Sequence, residues 1–309
     1  MLEAAAMTNE QHLAELREKL LPGTLLRLNE PLAKRTTLRV GGPAEFFVEP
    51  SSESDLARAV EFCGEKKLPL FVLGRGSNLL IKDSGIRGMV ISLAHPNFSV
   101  IKVEGQFMQC SAGARLKAIA AEARKNNLAG MEFLEGIPGN LGGALRMNAG
   151  AMGSAIFNLV EKIRVMDRAG KIEEWIGRDI AAEYRSCPLL KEQIALSALL
   201  KGEIGAGETV AVRMKSYSAK RWESQPKEPS AGCIFKNPST IPAGKLIEEL
   251  GLKGTSVGGA RVSEIHGNFI VNDGGATARD VLDLIDAIKK RVKAERGIDL
   301  RTEVEIIGE

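Results

Sequence analysis

The apolar residues recur at helical spacing in several segments of the chain. Apolar positions three or four residues apart lie on one face of an amphipathic helix. In the last such segment, Thr277 and Asp280 form a capping box and Gly297 ends the helix. The predicted helices are residues 9–20, a helix capped by Ser54 with Leu56, Val60 and Cys63 on its buried face, residues 116–126, residues 243–250, and a long helix with Val281, Ile285, Ile288 and Val292 on its buried face.

Short apolar runs bounded by glycine, proline or aspartate predict strands. The strands and helices do not alternate as regular βαβ units, so the sequence predicts an α+β fold. The polar stretch 218–229 is a change of composition, and we expect a domain border there or slightly before it. The predicted strands are residues 36–40, 44–48, 69–73, 79–81, 89–93, 163–166, 172–176, 194–201, 209–214, 268–271 and 302–307.

The composition excludes several classes of protein. The chain has 309 residues, 44% hydrophobic and 26% charged, as is typical of a globular protein long enough for two domains. A net charge of +3 and an aromatic content of 5% argue against nucleic-acid binding. The apolar runs are too short to span a membrane, and the acidic N-terminus does not resemble a secretory signal. We therefore expect a cytoplasmic protein with no membrane or nucleic-acid partner.

The cysteines and histidines show no metal-site pattern. The four cysteines and three histidines are scattered, and no Cys-x-x-Cys or His-Glu-x-x-His spacing occurs. This usage fits reduced thiols and predicts no metal.

The run from Gly136 to Gly153 contains six glycines and is almost uncharged. Glycine weakens regular elements, so this density indicates that backbone N–H groups approach a phosphate or a flat cofactor. A tight structural corner is the alternative. Apolar residues within the run argue against a flexible linker.

Residues 74–78, Gly-Arg-Gly-Ser-Asn, lie between two predicted strands. The dinucleotide fingerprint requires a third glycine where Leu79 stands, and a helix after it. Ser77 and Asn78 add hydrogen-bond donors to the two glycines, which suits a pyrophosphate. An ordinary turn is the alternative, and Arg75 taken alone is a typical surface residue.

Two further residues are candidates for donating a proton or for supplying a positive charge. Cys233 lies beside Lys236 and Asn237 in Ala-Gly-Cys-Ile-Phe-Lys-Asn, where it is either a proton source or a buried structural cysteine. Arg185 follows Tyr184 in a turn-like segment, and by itself it is a typical surface arginine.

The C-terminal third adds a carboxylate and a polar segment. Glu303 lies in the last predicted strand, where an exposed carboxylate is the default interpretation. The segment 258–272 is rich in groups suited to a polar ligand, but its His266 is equally consistent with a structural histidine.

The order of these motifs resembles the UDP-N-acetylenolpyruvoylglucosamine reductase family, in its shorter, second type. The resemblance extends from about Pro31 to Gly308 and rests on Gly-Arg-Gly-Ser-Asn-Leu-Leu, Gly-Ile-Pro-Gly-Asn-Leu-Gly-Gly-Ala, Met-Asn-Ala-Gly-Ala, Tyr-Arg-Ser, Ser-Ala-Gly-Cys-Ile-Phe-Lys-Asn-Pro and His-Gly-Asn-Phe-Ile-Val-Asn.

The resemblance implies an α+β flavoprotein of the vanillyl-alcohol-oxidase type. Its FAD-binding domain would have two subdomains and would be followed by an α+β substrate-binding domain. We expect an N-terminal helical extension at residues 1–30, the FAD-binding domain at 31–205 and the substrate-binding domain at 206–309.

The resemblance also implies a reaction. NADPH would reduce FAD, which would deliver hydride to the enolpyruvyl group of UDP-N-acetylglucosamine enolpyruvate and give UDP-N-acetylmuramate for peptidoglycan. Arg185 matches the family's catalytic arginine and Glu303 its catalytic glutamate, which would stabilise the enol in protonated form or through water. Cys233 stands where the family usually has a serine that donates the proton. We expect a monomer.

The match assigns the remaining site residues. The FAD-binding residues it implies are Gly74, Arg75, Gly76, Ser77, Asn78, Leu79, Gly136, Ile137, Pro138, Gly139, Gly142, Gly143, Asn148 and Gly150, together with Arg221, which reaches either the flavin or a substrate phosphate. The substrate-binding residues it implies are Tyr184, Lys236, Asn237, Lys253, Glu264, His266 and Asn268.

Two residues depart from the family pattern. Met152 replaces a common tyrosine, and we expect little consequence. Cys233 replaces serine, and a thiol, with an ordinary pKa of about 8.5, gives up its proton more readily than an alcohol. Cations such as Arg185 and Lys236 would lower the pKa of a neighbouring thiol. We therefore expect activity loss at alkaline pH and sensitivity to thiol oxidation.

Two other functions stay open at this stage. One is oxidation of a small alcohol by another flavoprotein of the same fold, although neither glycine-rich loop holds the histidine that tethers flavin in many such oxidases. The other is binding of a nucleotide sugar without chemistry, which would not require a proton donor, an arginine and a glutamate together.

Overall fold

The computed structural model describes residues 8–309. The N-terminal residues 1–7, whose composition argued against a secretory signal, lie outside the described residues. In the described part, the α-helices are α1 Asn9–Lys19, α2 Glu53–Lys66, α3 Leu116–Lys125, α4 Leu141–Arg146, α5 Gly207–Ser224, α6 Ala243–Glu249 and α7 Ala278–Arg296. The strands are β1 Leu25–Pro31, β2 Pro43–Glu49, β3 Leu70–Leu73, β4 Leu79–Ile81, β5 Ile86–Ser92, β6 Ile101–Glu104, β7 Phe107–Ser111, β8 Leu128–Ala129, β9 Gly150–Ala151, β10 Ser154–Ala155, β11 Val160–Met166, β12 Ile172–Ile176, β13 Ile194–Lys201, β14 Glu203–Ile204, β15 Ser230–Cys233, β16 Ser256–Val257, β17 Ala260–Val262, β18 Phe269–Asn272 and β19 Glu305–Ile307.

Of the described residues, the first compact unit comprises 8–30, 44–74 and 88–217. It contains a four-stranded sheet in the order β1-β2-β5-β3 and a five-stranded sheet in the order β12-β11-β13-β7-β6. The second sheet is antiparallel throughout, whereas β3 and β5 pair in parallel. One hydrophobic core joins these sheets to α2, α3 and α4, and α1 adds Leu16 to it.

The second compact unit comprises residues 31–43, 75–87 and 218–309. It contains an antiparallel sheet in the order β15-β18-β17-β16 and the parallel pair β19-β4. The core of this unit packs α6 and α7 against the strands. As predicted, Thr277 and Asp280 form the capping box of α7, and Gly297 ends it with a left-handed backbone.

Most predicted elements are present, and the α+β class is confirmed. The predicted strand at 209–214 is wrong, because these residues belong to α5. Val210, Val212 and Met214 alternate as in a strand, but Val210 and Met214 are also four residues apart and form the buried face of a helix, while Val212 is exposed.

Three local predictions near the N-terminus are corrected. Residues 36–40 bend instead of forming a strand, with Arg39 in the left-handed region, and the strand β1 was not predicted. The cap of α2 is Ser52 and not Ser54, because the Ser52 hydroxyl accepts from the Asp55 N–H at 3.1 Å.

The expected domain ranges 1–30, 31–205 and 206–309 stay a prediction. The polar stretch 218–229 begins inside α5, at the residue where the second compact unit resumes. No helix of residues 8–309 is both long and apolar enough to cross a membrane.

The buried carboxylate of Asp55, on α2, forms hydrogen bonds with the segment that precedes β1. Asp55 is fully buried. It accepts hydrogen bonds from the Thr24 hydroxyl at 2.7 Å, the Ser51 hydroxyl at 3.0 Å and the Leu21 N–H at 3.2 Å. Burial raises the pKa of Asp55, but the bonds led by Thr24 and Leu21 outweigh it, so the pKa lies below its ordinary value.

We predict that Asp55→Asn lowers the free energy of unfolding by about 2–3 kcal/mol at neutral pH, because it removes one charged acceptor from buried donors. A carboxylate with a lowered native pKa stabilises the fold above its unfolded pKa of about 4, and this contribution disappears as the pH falls through the native value. Urea unfolding of wild type and variant should therefore differ at pH 7 and converge near pH 2. Asp179→Asn, at an exposed position, is the matched control, and an equal effect of both variants would contradict the assignment.

Candidate active site

A cavity of about 100 Å³ lies within the first unit, where β3 ends and α4 begins. Its lining includes Gly74, Asn140 and Gly143. Arg168 and Lys191 also line it, as does Arg146, and no carboxylate is among the lining residues. The cavity is therefore suited to a ligand with negative charge.

The glycine run is not a single loop, because it contains α4 and β9, the first strand of the β9–β10 hairpin. Protein packing accounts for two of its glycines. A Cβ at Gly150 would lie 2.5 Å from the Ser154 carbonyl oxygen, and one at Gly142 would lie 3.1 Å from the Ala112 side chain. In contrast, a Cβ at Gly74 or Gly143 would meet no atom within 4 Å. Two bare backbone positions thus face open space at the lining of the cavity.

The polar groups at the cavity include one orphaned acceptor. Among the described residues, the buried Oδ1 of Asn140 has no hydrogen-bond partner. The Leu141 and Gly142 N–H groups donate to the Ala114 and Ala112 carbonyls. An acceptor lacking a donor, a cationic lining and open glycines fit a ligand with N–H groups and phosphates, as FAD has. Asn140 was missed as a site residue, although its polar side chain inside an apolar glycine run was a usable signal.

Arg185 occupies the tip of a tight turn in the first unit. Glu183 and Ser186 exchange backbone hydrogen bonds across it, and Arg185 has a φ of +54°. Its Nη1 donates to the Gly150 carbonyl at 3.2 Å, and its guanidinium lies over the Tyr184 ring at 5.0 Å. The turn therefore presents an arginine and an exposed tyrosine together.

In the second unit, the segment 75–79 leads directly into β4. Gly76 has a φ of +58°, and a Cβ there would lie 2.8 Å from Thr36, so this position requires glycine. The side chain of Asn78 donates to the Glu303 carbonyl at 3.2 Å. The Asn78 carbonyl accepts from the Glu305 N–H at 3.0 Å.

The second unit also brings Cys233 and Glu303 close together. The Glu303 N–H donates to the carbonyl of Ile234, the neighbour of Cys233, at 2.8 Å. Cys233 and Glu303 are both half-buried, whereas the other three cysteines are buried. Glu303 was expected in the last strand, but it lies on a bend before β19, since its N–H bonds Ile234.

Arg221, on α5, is near the same thiol. Burial lowers the pKa of the Arg221 guanidinium, and the charge of the Cys233 thiolate partly opposes this shift. An arginine remains charged even so, because its ordinary pKa is far above neutral. The cation near Cys233 is therefore Arg221, and the predicted influence of Arg185 and Lys236 on this thiol stays a prediction.

Several residues assigned to substrate binding have bonds within the protein. The buried Asn268 accepts from the Phe235 N–H and donates to the Phe235 carbonyl, each at 2.8 Å. Asn237 accepts from the Ala243 N–H at the start of α6. His266 accepts from the Asn268 N–H at 3.1 Å, and its pKa is lowered by burial.

The other assigned substrate residues differ in exposure. Lys236 and Glu264 are exposed. Lys253 is half-buried, and its Nζ donates to Glu248 at 2.7 Å. The side chains of all three residues end in a charged group, which is suited to binding a polar ligand.

The predicted site residues thus fall into two sets. The first unit contains Gly74, Gly136, Ile137, Pro138, Gly139, Gly142, Gly143, Asn148, Gly150, Tyr184 and Arg185. The second unit contains Arg75, Gly76, Ser77, Asn78, Leu79, Arg221, Cys233, Lys236, Asn237, Lys253, Glu264, His266, Asn268 and Glu303.

Family models match both parts of the chain. Residues 44–175 match an FAD binding domain. Residues 225–307 match the C-terminal domain of UDP-N-acetylenolpyruvoylglucosamine reductase.

Individual proteins extend this similarity to almost the whole chain. A UDP-N-acetylenolpyruvoylglucosamine reductase from Caldanaerobacter subterraneus subsp. tengcongensis is 43% identical over 297 residues, which is 96% of this chain and 97% of that protein. The crystal structure of the enzyme of this name from Thermus caldophilus has a TM-score of 0.80 and 38% identity, and the match covers 92% of this chain and 99% of that one.

A more distant structure is similar in fold alone. Phl p 4, a grass pollen allergen with glucose dehydrogenase activity, has a TM-score of 0.50 and 15% identity, and covers 63% of this chain and 44% of its own. The predicted flavoprotein fold and the FAD cofactor are confirmed by these matches together. The chain belongs to the UDP-N-acetylenolpyruvoylglucosamine reductase family.

Proposed function

We propose that this protein is an FAD enzyme that uses NADPH to reduce the enolpyruvyl C=C bond of UDP-N-acetylglucosamine enolpyruvate, which yields UDP-N-acetylmuramate for peptidoglycan. The observation on which this proposal chiefly rests is the placement of Cys233 and Glu303. The backbone bond from Glu303 to Ile234, the neighbour of Cys233, brings together the two segments that carry this thiol and this carboxyl. A binding protein for nucleotide sugars would not need this pair.

The cavity of the first unit would hold a part of FAD. Gly74 and Gly143 would leave room for the cofactor, Asn140 would accept from one of its N–H groups, and Arg146 and Arg168 lie at the cavity with charge complementary to its pyrophosphate. The sequence resemblance also assigns the segment Arg75–Leu79, in the second unit, to FAD. When bound, FAD supplies the hydride that it has received from NADPH.

The substrate's charge is met by Arg185 and Glu303. As hydride adds to one alkene carbon, negative charge develops on the other carbon and on the attached carboxylate. The planar guanidinium of Arg185 is suited to a carboxylate, to which it donates two parallel N–H bonds. Glu303 stabilises the enol in its protonated form or through a water molecule.

Cys233 completes the reduction. Its S–H bond breaks, the proton forms a C–H bond at the carbon that did not receive hydride, and the thiolate regains a proton from solvent. The hydride and the proton together add two hydrogens across the C=C bond.

The alternative of small-alcohol oxidation is not favoured, because the chain belongs to a reductase family over almost its whole length. We propose that the enzyme is a monomer and acts in the cytoplasm, where NADPH is available. Sedimentation of the purified protein measures its oligomeric state and so tests whether it is a monomer.

We predict that Cys233→Ala abolishes turnover but leaves the flavin chemistry with NADPH intact. Loss of a general acid costs about 10²- to 10⁴-fold in rate. NADPH oxidation should depend on UDP-N-acetylglucosamine enolpyruvate in the wild type, and the variant should remain yellow and be reduced by NADPH. Cys187→Ala, at a buried cysteine, is the control. NADPH oxidation that ignores the substrate in the wild type would contradict the proposed function.

We predict that Cys233→Ser retains turnover and extends it to more alkaline pH. A thiol donor is protonated below its pKa, ordinarily about 8.5, and is lost above it, whereas a hydroxyl stays protonated. The serine variant should also resist inactivation by peroxide. An unchanged alkaline limb together with unchanged peroxide sensitivity would show that Cys233 is not the donor.

We predict that Gly143→Val weakens FAD binding at least about 10-fold, because a branched side chain would project from α4 at the lining of the cavity. Quenching of flavin fluorescence during titration of the apoprotein gives the affinity. Gly64→Val is a matched control, since Gly64 is also a helical glycine whose Cβ would meet no atom within 4 Å. Equal FAD affinity for both variants would remove Gly143 from the cofactor site.

A further inference from the structure

Asn148 lies in the connection between α4 and β9, and its side chain bonds the turn that presents Arg185. Its Nδ2 donates to the Glu183 carbonyl at 3.0 Å. Its Oδ1 faces the Phe157 N–H at 3.5 Å. We propose that Asn148 is a positioning residue that holds the Arg185 turn in place for the reduction, an inference that rests on the proposed function.

Three hydrogen bonds join the turn to the short segment 146–150. Besides the bond from Asn148, the Cys187 N–H donates to the Arg146 carbonyl at 2.9 Å. The Arg185 Nη1 donates to the Gly150 carbonyl at 3.2 Å. The turn is therefore attached before its tip, at its tip and after its tip, and the bond from Asn148 is the only one of the three made by a side chain of the segment.

The backbone conformation explains why such attachment is needed. Arg185 has a φ of +54°, a left-handed conformation that is strained for a residue other than glycine. A turn with this strain at its tip relaxes readily unless its neighbours hold it. The attachment to the segment 146–150 opposes this relaxation.

The residue type at position 148 is explained by the same geometry. Asn148 itself has a φ of +40°. Asparagine tolerates this region better than other side-chain-bearing residues, and it offers both a donor and an acceptor. Glycine would accept the backbone conformation but supply neither group.

The chemical need for this positioning follows from the role of Arg185. A guanidinium that binds a carboxylate through two parallel bonds depends on its angle as well as its distance. A displacement of about 1 Å costs a reaction up to about 100-fold in rate. Asn148 matched the family's FAD-binding residues in the sequence, and the positioning role is distinct from cofactor binding.

The decisive variant is Asn148→Asp. Aspartate tolerates the left-handed backbone and keeps the acceptor for the Phe157 N–H, but it replaces the donor to the Glu183 carbonyl with a second acceptor. Asn127→Asp is the matched control, because Asn127 is an exposed asparagine with a φ of +55°. Asn148→Gly provides a second variant that loses the same bond without adding charge.

Three measurements separate positioning from other roles. FAD content and the rate of flavin reduction by NADPH should stay within about 2-fold of wild type in both Asn148 variants. Reoxidation of the reduced enzyme by UDP-N-acetylglucosamine enolpyruvate, followed anaerobically in a single turnover, should slow about 10- to 100-fold. In an Arg185→Ala background, Asn148→Asp should change this rate by less than about 2-fold, since the two residues act through one interaction.

Other outcomes overturn the proposal in distinguishable ways. Loss of FAD from both Asn148 variants would assign Asn148 to the cofactor site. The same slowing in the presence and absence of Arg185 would indicate a general structural role. Failure of the wild type to be reoxidised by the substrate would overturn the proposed function itself and this inference with it.

Discussion

The buried amide of Asn268 fixes the backbone at Phe235, and the arrangement of the second unit's candidate groups depends on that pairing. Its two hydrogen bonds, each 2.8 Å, satisfy both polar groups of Phe235 away from water. The strand-like segment held in this way then pairs with residues 301–303 through Ile234 and Lys236. Cys233 and Glu303 lie at one end of this pairing, so a structural amide determines where the proposed proton donor and the carboxyl are placed.

In the first unit, hydrogen bonds hold the turn of Arg185, the other proposed catalytic residue, in a similar way. The segment after α4 bonds the turn of Arg185, and α4 itself contributes Gly143 and Arg146 to the cavity proposed for FAD. The proposed cofactor cavity and the proposed substrate-binding arginine are therefore both supported by one continuous stretch of chain. The glycine run includes the polar residue Asn148, for which we propose the role of holding the neighbouring turn.

Local sequence signals predicted the helices α1, α2, α3, α6 and α7 and about half of the strands of residues 8–309, because capping, periodicity and residue type act over short distances. They failed where contacts between residues far apart in the chain determine the local structure. The apolar alternation at Val210 and Met214 predicted a strand, but both residues lie on the buried face of a helix, where they pack against the core. Glu303 leaves the last strand because its N–H bonds Ile234, about 70 positions away in the chain. Asn140 is visible in the sequence as a polar residue inside an apolar glycine run, but only the structure shows that its buried oxygen has no hydrogen-bond partner among the described residues.

The most direct test of the account is an anaerobic half-reaction. The purified protein is reduced with one equivalent of NADPH, NADP⁺ is removed, and UDP-N-acetylglucosamine enolpyruvate is added while the flavin absorbance and the sugar nucleotide are followed. The account predicts reoxidation of the flavin together with one UDP-N-acetylmuramate formed per flavin. A flavin that stays reduced with the substrate and is reoxidised only when oxygen is admitted would contradict it.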